Sequence, residues 1–378
     1  MHIPDMRNIK KVLIPIFLLL LLLTAAACGS TDSAGSTADE TGTDADSASE
    51  NGSEENSDAE QTAAEASSAY LFAMDTVMQL TVYGGGDDAL DAASALILDL
   101  EELLSATTET SDIAVLNATG TVTLDDEILA LLEDTIALSE RTGGAMDPTA
   151  YSLVKLWGFT TEEYQVPSQE AREAAIATVG TENISIEGST VSLLNGAQID
   201  LGAVTKGYTG QALVELMADY PDVQAALFTL GGNVQTYGQK PDGSAWRVGI
   251  QDPDDDSSII AILTLPADTD CLSVVTSGIY QRYFEEDGVR YHHIMDTSTG
   301  APADSGLSSV TIVCEDGLLA DALSTALLVM GLEEGAAFWA ESDDFEAVFI
   351  TTEGEIYITE GITDMINEVS CTVIGRDT

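Results

Sequence analysis

The run Asp200-Leu201-Gly202-Ala203-Val204-Thr205-Lys206-Gly207-Tyr208 leads from a strand-like segment through a glycine turn into a helix, and its flanks set the fold class. Upstream, 184–199 reads as a hairpin with turn signals at Gly188 and Asn195-Gly196. Downstream, Tyr208 to Tyr220 has helical apolar spacing, followed by strand-like runs at 223–230, 233–238, 246–250, 258–265 and 271–276. Further out on the N-terminal side, Tyr70 to Tyr83 alternates as a strand that ends in Gly84-Gly85-Gly86. Segments 87–104, 126–141 and 168–179 then read as helices. On the C-terminal side come a strand at 308–314, a helix at 317–330, a shorter helix at 333–341 and strands near 346–350 and 355–359. Strands and helices alternate without a β-α-β rhythm, which predicts an α+β domain of mixed sheets and packed helices over 70–378.

Residues before that domain have a different composition. Arg7, Lys10 and Lys11 precede an apolar run from Val12 to Leu23, and then Thr24-Ala25-Ala26-Ala27-Cys28-Gly29-Ser30. A basic start, a short apolar core and small residues read as a secretory signal over 1–28. Small residues before a cysteine resemble a lipoprotein cleavage box with Cys28 as the lipidated residue, although Ala25 stands where leucine is usual. Ordinary cleavage after Ala27 is the alternative. Residues 29–69 are almost wholly Ser, Thr, Ala, Gly, Asp, Glu and Asn, the composition of a disordered acidic tether. The expected address is the extracytoplasmic face of a bacterial membrane, held through a lipid anchor.

Charge narrows the partners. The chain has 12 Lys and Arg against 65 Asp and Glu. Residues 1–28 hold three of those bases and one acid, so nine bases face 64 acids in the remainder. Such a surface repels nucleic acid and anionic headgroups. An anionic cofactor would need a divalent cation, a helix N-terminus or one of the few bases to enter. Cys271, Cys314 and Cys371 show no CxxC and no ligand spacing; Cys271 and Cys314 read as small core residues, and one disulfide among the three stays open as an alternative.

Three segments carry chemistry. The only histidines beyond His2 are His292 and His293, in Arg290-Tyr291-His292-His293-Ile294-Met295-Asp296-Thr297-Ser298-Thr299-Gly300. An imidazole base, if one acts, is one of this pair; the plain alternative is a structural histidine. Lys206 sits where a helix begins, so its ammonium and the free N–H groups could face one anion; otherwise this is a surface turn with a solvated lysine. Leu230-Gly231-Gly232-Asn233 is a comparable turn, whose missing side chains would let a flat ligand approach the backbone. In Ala320-Asp321-Ala322-Leu323-Ser324-Thr325-Ala326, Asp321 and Thr325 lie four apart on one helix face with Ser324 beside them. A carboxylate and hydroxyls are hard oxygen ligands suited to Mg²⁺, and the alternative is an Asp321 hydrogen-bonded to a neighbouring loop.

Taken in order, these segments resemble the ApbE family of FAD:protein FMN transferases over essentially all of 70–378. The resemblance is carried by Met74-Asp75-Thr76, Gly144-Ala145-Met146-Asp147-Pro148-Thr149, the 200–208 run, Leu230-Gly231-Gly232-Asn233, Thr276-Ser277-Gly278, the His292-His293 segment and the 320–325 segment. It implies an α+β fold holding FAD in an extended groove with Mg²⁺ at the pyrophosphate. The implied metal ligands are the Ala203 carbonyl and the side chains of Asp321 and Thr325, with Ser324 a further candidate. FAD would contact Met74, Thr107, Ala145, Met146, Asp147, Asp200, Lys206 and Met295. His293, Lys206 and Asp296 would be the catalytic groups. Asp75 stands where the family has glycine, Thr107 where many relatives are aromatic, Thr297 where proline is expected and Ser324 where some relatives have a carboxylate. The implied reaction moves the FMN moiety of FAD to a threonine of an exported acceptor protein and releases AMP. An FAD pyrophosphatase and a non-catalytic flavin-binding lipoprotein are the competing readings.

Overall fold

Eight consecutive residues of the strand Leu307–Cys314 are buried, which requires cover on both faces of the sheet they lie in. That strand is sixth in a nine-stranded sheet ordered 66–73, 76–83, 225–230, 233–238, 273–278, 307–314, 346–351, 356–359, 372–374. Neighbouring strands pair antiparallel except the last two, which are parallel. The computed structural model describes residues 65–367 and 369–376. Residues 1–28, with Cys28, and nearly all of the 29–69 tether lie outside the described residues.

Seven α-helices are described: α1 (Gly86–Leu104), α2 (Asp112–Thr119), α3 (Asp126–Arg141), α4 (Tyr151–Leu156), α5 (Gln169–Ile176), α6 (Thr205–Met217) and α7 (Gly317–Ala340). Helices cover one face. Val310, Ile312 and Phe349 of the sheet meet Leu319, Leu323, Leu327 and Trp339 of α7. Met78, Leu80 and Phe228 meet Leu90, Ala93 and Ile97 of α1 and Leu213 and Met217 of α6. The hairpin Arg247–Asp252 and Asp255–Thr264 covers the other face, through Val248, Ile250, Ala261 and Leu263 against Val274, Val313, Val348 and Ile350. These helix and sheet layers form the α+β domain expected from the sequence.

The helix α7 is apolar on every side because it is enclosed, and fourteen of its residues are buried. Among the described residues no helix is long and apolar enough to cross a membrane. Gly331 interrupts α7 with φ 82°, so the chain runs as the two helical segments expected at 317–330 and 333–341. Asp316 caps its start, its Oδ1 accepting the Leu319 N–H at 2.9 Å. Asp316→Ala should cost about 1 kcal/mol of stability. A urea midpoint equal to the parent's would show that the cap is redundant.

Four expectations are corrected. Residues 70–83 are not one strand but the hairpin Ala66–Ala73 and Thr76–Tyr83, reversed at Met74-Asp75. Both turn residues have positive φ, 50° and 59°, the pattern of a type I′ turn without its usual Asn-Gly signal. The first strand starts at Ala66, inside the segment read as tether, because its pairing is backbone to backbone and needs no apolar side chain. Residues 194–204 form a loop rather than a strand continuing from the hairpin at 184–193. Asn117 stands in for a neighbouring strand there, its side chain donating to the Ile199 carbonyl and accepting the Ile199 N–H, each at 2.7 Å. The short helices α2 and α4 were not anticipated.

Candidate active site

Two glycines bring the site together. A Cβ on Gly207 would lie 2.0 Å from the Gly317 carbonyl oxygen and 2.7 Å from the Asp321 Cβ, so α6 and α7 cross here at backbone contact. Gly207 is the third residue of α6, so its N–H has no carbonyl partner within the helix. It donates instead to Asp321 Oδ2 at 2.8 Å. The helix N-terminus expected to face a cofactor anion therefore serves a carboxylate of the protein. Lys206 Nζ stands 4.0 Å from Asp321 Oδ1 and remains partly exposed.

Asp321 is 3 % exposed. Burial pushes its carboxyl pKa up, against the opposing pull of Lys206, the Gly207 N–H and the side chain of Asn233. Asn233 is itself buried, and its Nδ2 approaches Asp321 without reaching hydrogen-bond geometry there or elsewhere. One turn on, Ser324 Oγ donates to the Asp321 carbonyl at 2.9 Å. Ser277 lies 2.8 Å from the Ser324 hydroxyl and 3.2 Å from that of Thr325. Ala203 packs against the cluster that includes Leu318, Ala322 and Ala326 of α7. Asp321, Ser324 and Thr325 thus sit within one turn of α7, with Ser277 bonded to the two hydroxyls and Ala203 packed against the apolar side of the same helix. That hard, oxygen-only donor set fits Mg²⁺, which binds through few protein ligands and keeps places for water and phosphate. Among the described residues no three His, Cys, Asp or Glu side chains cluster to hold a metal by themselves.

The tandem histidines separate. His292 is buried with Nε2 at 2.9 Å from the Ala303 carbonyl, so Nε2 carries the proton, and Nδ1 is left without a partner. It is a structural residue of the 289–292 strand. His293 is half-buried, and its Nδ1 meets the Arg282 carbonyl at 3.2 Å. A carbonyl only accepts, so Nδ1 carries the proton and Nε2 presents a free lone pair. Burial and the Arg282 guanidinium draw the His293 pKa well below its ordinary value, so the ring is a neutral base at pH 7. Asp296 is committed to its own turn. Its Oδ1 accepts from the Ser298 N–H and hydroxyl and its Oδ2 from Thr299.

The expected FAD contacts divide into two groups. Asp200, half-buried, has its pKa raised by burial, with the Gly202 N–H, Arg282 and Lys206 opposing. Met74 stands at the hairpin turn, its N–H held by Glu101 Oε1 at 2.7 Å and its sulfur 3.8 Å from the Thr209 hydroxyl. Ala145 and Asp147 belong to a second group. Asp147 caps Pro148–Ala150, and its carboxyl, raised by burial, accepts from the Thr149 N–H and hydroxyl. Gly144, Asp147, Val179, Glu182 and Thr297 line an open cavity of about 400 Å³ that does not reach Asp321. The Asp200 N–H bond to the Pro148 carbonyl, 2.9 Å, joins the two groups. Thr107 is exposed and bonded only within its own loop, to Ser105. Met146 and Met295 are buried in the core, so only their backbone is available to a ligand. Gly231-Gly232 offers no open ledge either, because a Cβ on Gly231 would strike Thr76 at 2.8 Å and one on Gly232 the Thr276 carbonyl at 2.6 Å.

Asn233, Ser277 and Arg282 were not predicted as site residues. Arg282 had a usable signal, being one of nine bases in an acidic chain.

The sequence pattern of the ApbE family matches residues 74–349. The chain belongs to the ApbE family. A Treponema pallidum relative named FAD:protein FMN transferase is 35 % identical over 297 residues, 74 % of this chain and 81 % of its own length. The crystal structure of an ApbE protein from Thermotoga maritima superposes with a TM-score of 0.75 at 32 % identity, covering 80 % of this chain and 100 % of that one. The apo form of a Pseudomonas stutzeri flavinyl transferase ApbE gives 0.72 at 29 % identity, over 82 % and 99 % of the two chains. The pattern begins at Met74, in the hairpin turn, and reaches Phe349, in the strand beside Leu307–Cys314. It therefore takes in the α6–α7 crossing and the His293 segment.

Proposed function

We propose that this chain is a Mg²⁺-dependent FAD:protein FMN transferase that moves the FMN moiety of FAD to a threonine of an exported acceptor protein and releases AMP. The observation that carries this is the buried Asp321 carboxylate with Lys206 at 4.0 Å, in the same electrostatic field as a neutral His293. Asp321, the hydroxyls of Ser324 and Thr325 and the carbonyl of Ala203 would hold the metal. When bound, Mg²⁺ neutralises charge on the FAD diphosphate and stabilises its development on the leaving phosphate. Lys206 brings a second positive charge to the same diphosphate, which the acidic surface would otherwise repel. His293 Nε2 takes the proton of the attacking threonine hydroxyl as the new O–P bond to FMN forms and the O–P bond to AMP breaks. Asp296, whose carboxylate also holds the 296–300 turn, is the other candidate to aid the threonine. A lipid anchor on Cys28 would suit an enzyme that works on exported acceptors.

Incubating residues 65–378 with FAD, Mg²⁺ and an acceptor protein should leave flavin fluorescence on the denatured acceptor band, and EDTA should abolish it. FMN and AMP released with an unlabelled acceptor would make the chain a pyrophosphatase. FAD recovered intact would make it a binding protein.

A further inference from the structure

Arg282 and Lys206 are the two cations whose charge reaches both Asp200 and His293. Most other bases are engaged elsewhere: Arg141 with Asp344, Lys155 with Gln198, Lys240 over Trp246, Arg290 over Tyr283 and Arg376 over Trp339. Arg282 is oriented on one side only. Its Nη2 donates to the Phe159 carbonyl at 2.8 Å, while its Nη1 lies 3.8 Å from Asp75 Oδ2, too far for a hydrogen bond. The two side chains are 47 % and 81 % exposed, and an ion pair so long and so wet contributes little and separates easily.

Asp75 is held there by the backbone. It is the second residue of the type I′ turn, at φ 59°, a conformation that Asp and Asn tolerate through their short polar side chains. The Met74 N–H bond to Glu101 fixes the turn from behind. The hairpin therefore carries a negative charge at the mouth of a site built to receive a diphosphate, against one of its two cations.

We propose that Asp75 is a built-in competitor of the substrate: it occupies Arg282 in the free protein, and Arg282 exchanges it for the phosphates of FAD. This rests on the reading that the FAD diphosphate lies between Lys206 and His293. Asp75 lowers affinity twice over, by shielding Arg282 and by repelling the diphosphate, and so sets how readily FAD enters and product leaves. No bond is made or broken in the exchange.

Equilibrium dialysis with FAD, without acceptor, in EDTA and again with Mg²⁺, tests this on the whole domain. Asp75→Asn keeps the turn and removes the charge, and should tighten FAD binding about three- to tenfold at low ionic strength, the gain fading toward 1 M salt. Arg282→Gln should weaken binding about tenfold. The deciding measurement is the double variant: with Arg282 gone, Asp75→Asn should lose the part of its benefit that comes from freeing Arg282 and keep only the part from relieved repulsion. A full benefit in the Arg282→Gln background, or no benefit in the parent, overturns the pairing while leaving the FAD site standing. A parent protein that fails to bind FAD in both buffers overturns the site reading, and this inference with it.

Discussion

Asp321→Asn is expected to slow FMN transfer roughly a hundredfold or more, about 3 kcal/mol of barrier, with the fold intact. The substitution is nearly isosteric, and its amide oxygen can still accept the Gly207 N–H that now reaches Asp321 Oδ2 at 2.8 Å. What it removes is the one carboxylate among the Ala203, Ser324 and Thr325 oxygens, and with it most of the attraction for a divalent cation. Stability should move the other way. Burial raises the Asp321 pKa, so the folded chain holds that proton more tightly than the unfolded chain does. Stability then falls as pH climbs from the unfolded pKa through the raised folded one, and above that the charged group carries its full desolvation cost. The metal-free asparagine variant should therefore melt at or above the parent temperature at pH 7. Acceptor fluorescence in Mg²⁺ and thermal melts in EDTA read the two effects separately. Retained transfer would remove Asp321 from the reaction, and lost transfer with a large fall in melting temperature would make it a structural residue.

The helix that carries Asp321 was legible because its features are local. An apolar run opens on Asp316 and stops at Gly331, after a strand with no charged residue, and both elements stand where the periodicity put them. The Asp321, Ser324 and Thr325 grouping follows from helix geometry alone. Features that depend on what crosses a backbone were not legible. The free N–H groups of α6 could be foreseen, but not that α7 would pass close enough for its own carboxylate to take one. Likewise Gly231-Gly232 signalled close approach correctly, yet the group that approaches is Thr76 and Thr276 rather than a ligand. Nothing in Met74-Asp75 announces a turn, since both residues adopt a positive φ that only the pairing of the flanking strands enforces. His292 and His293 were indistinguishable as neighbours. Strand pairing through 289–292 turns the first inward to the Ala303 carbonyl and leaves the second at the Arg282 carbonyl.

The same crossing gives the second large effect. Gly207→Ala should destabilise the domain by about 3 kcal/mol and abolish transfer together. Its Cβ would meet backbone, the Gly317 oxygen at 2.0 Å and carbon at 2.7 Å, which no change of side-chain rotamer relieves. The two helices must separate, and the Gly207 N–H then withdraws from Asp321 while Lys206 moves with it. A Cβ on Gly317 would likewise lie 2.5 Å from the Gly207 oxygen, so neither helix has room for a side chain at the crossing. Gly210→Ala, one turn along α6, is the control. Its nearest neighbour would be the Gln235 Cβ at 3.2 Å, so α6 and the Gln235 strand need to part by only a few tenths of an ångström. Alanine's better helix propensity, about 1 kcal/mol over glycine, offsets much of that cost. Urea unfolding of both variants should show a large fall in midpoint for Gly207→Ala and a shift within about 1 kcal/mol for Gly210→Ala. Equal midpoints would mean that α6 and α7 have room to part, and that the position of Asp321 does not depend on their contact.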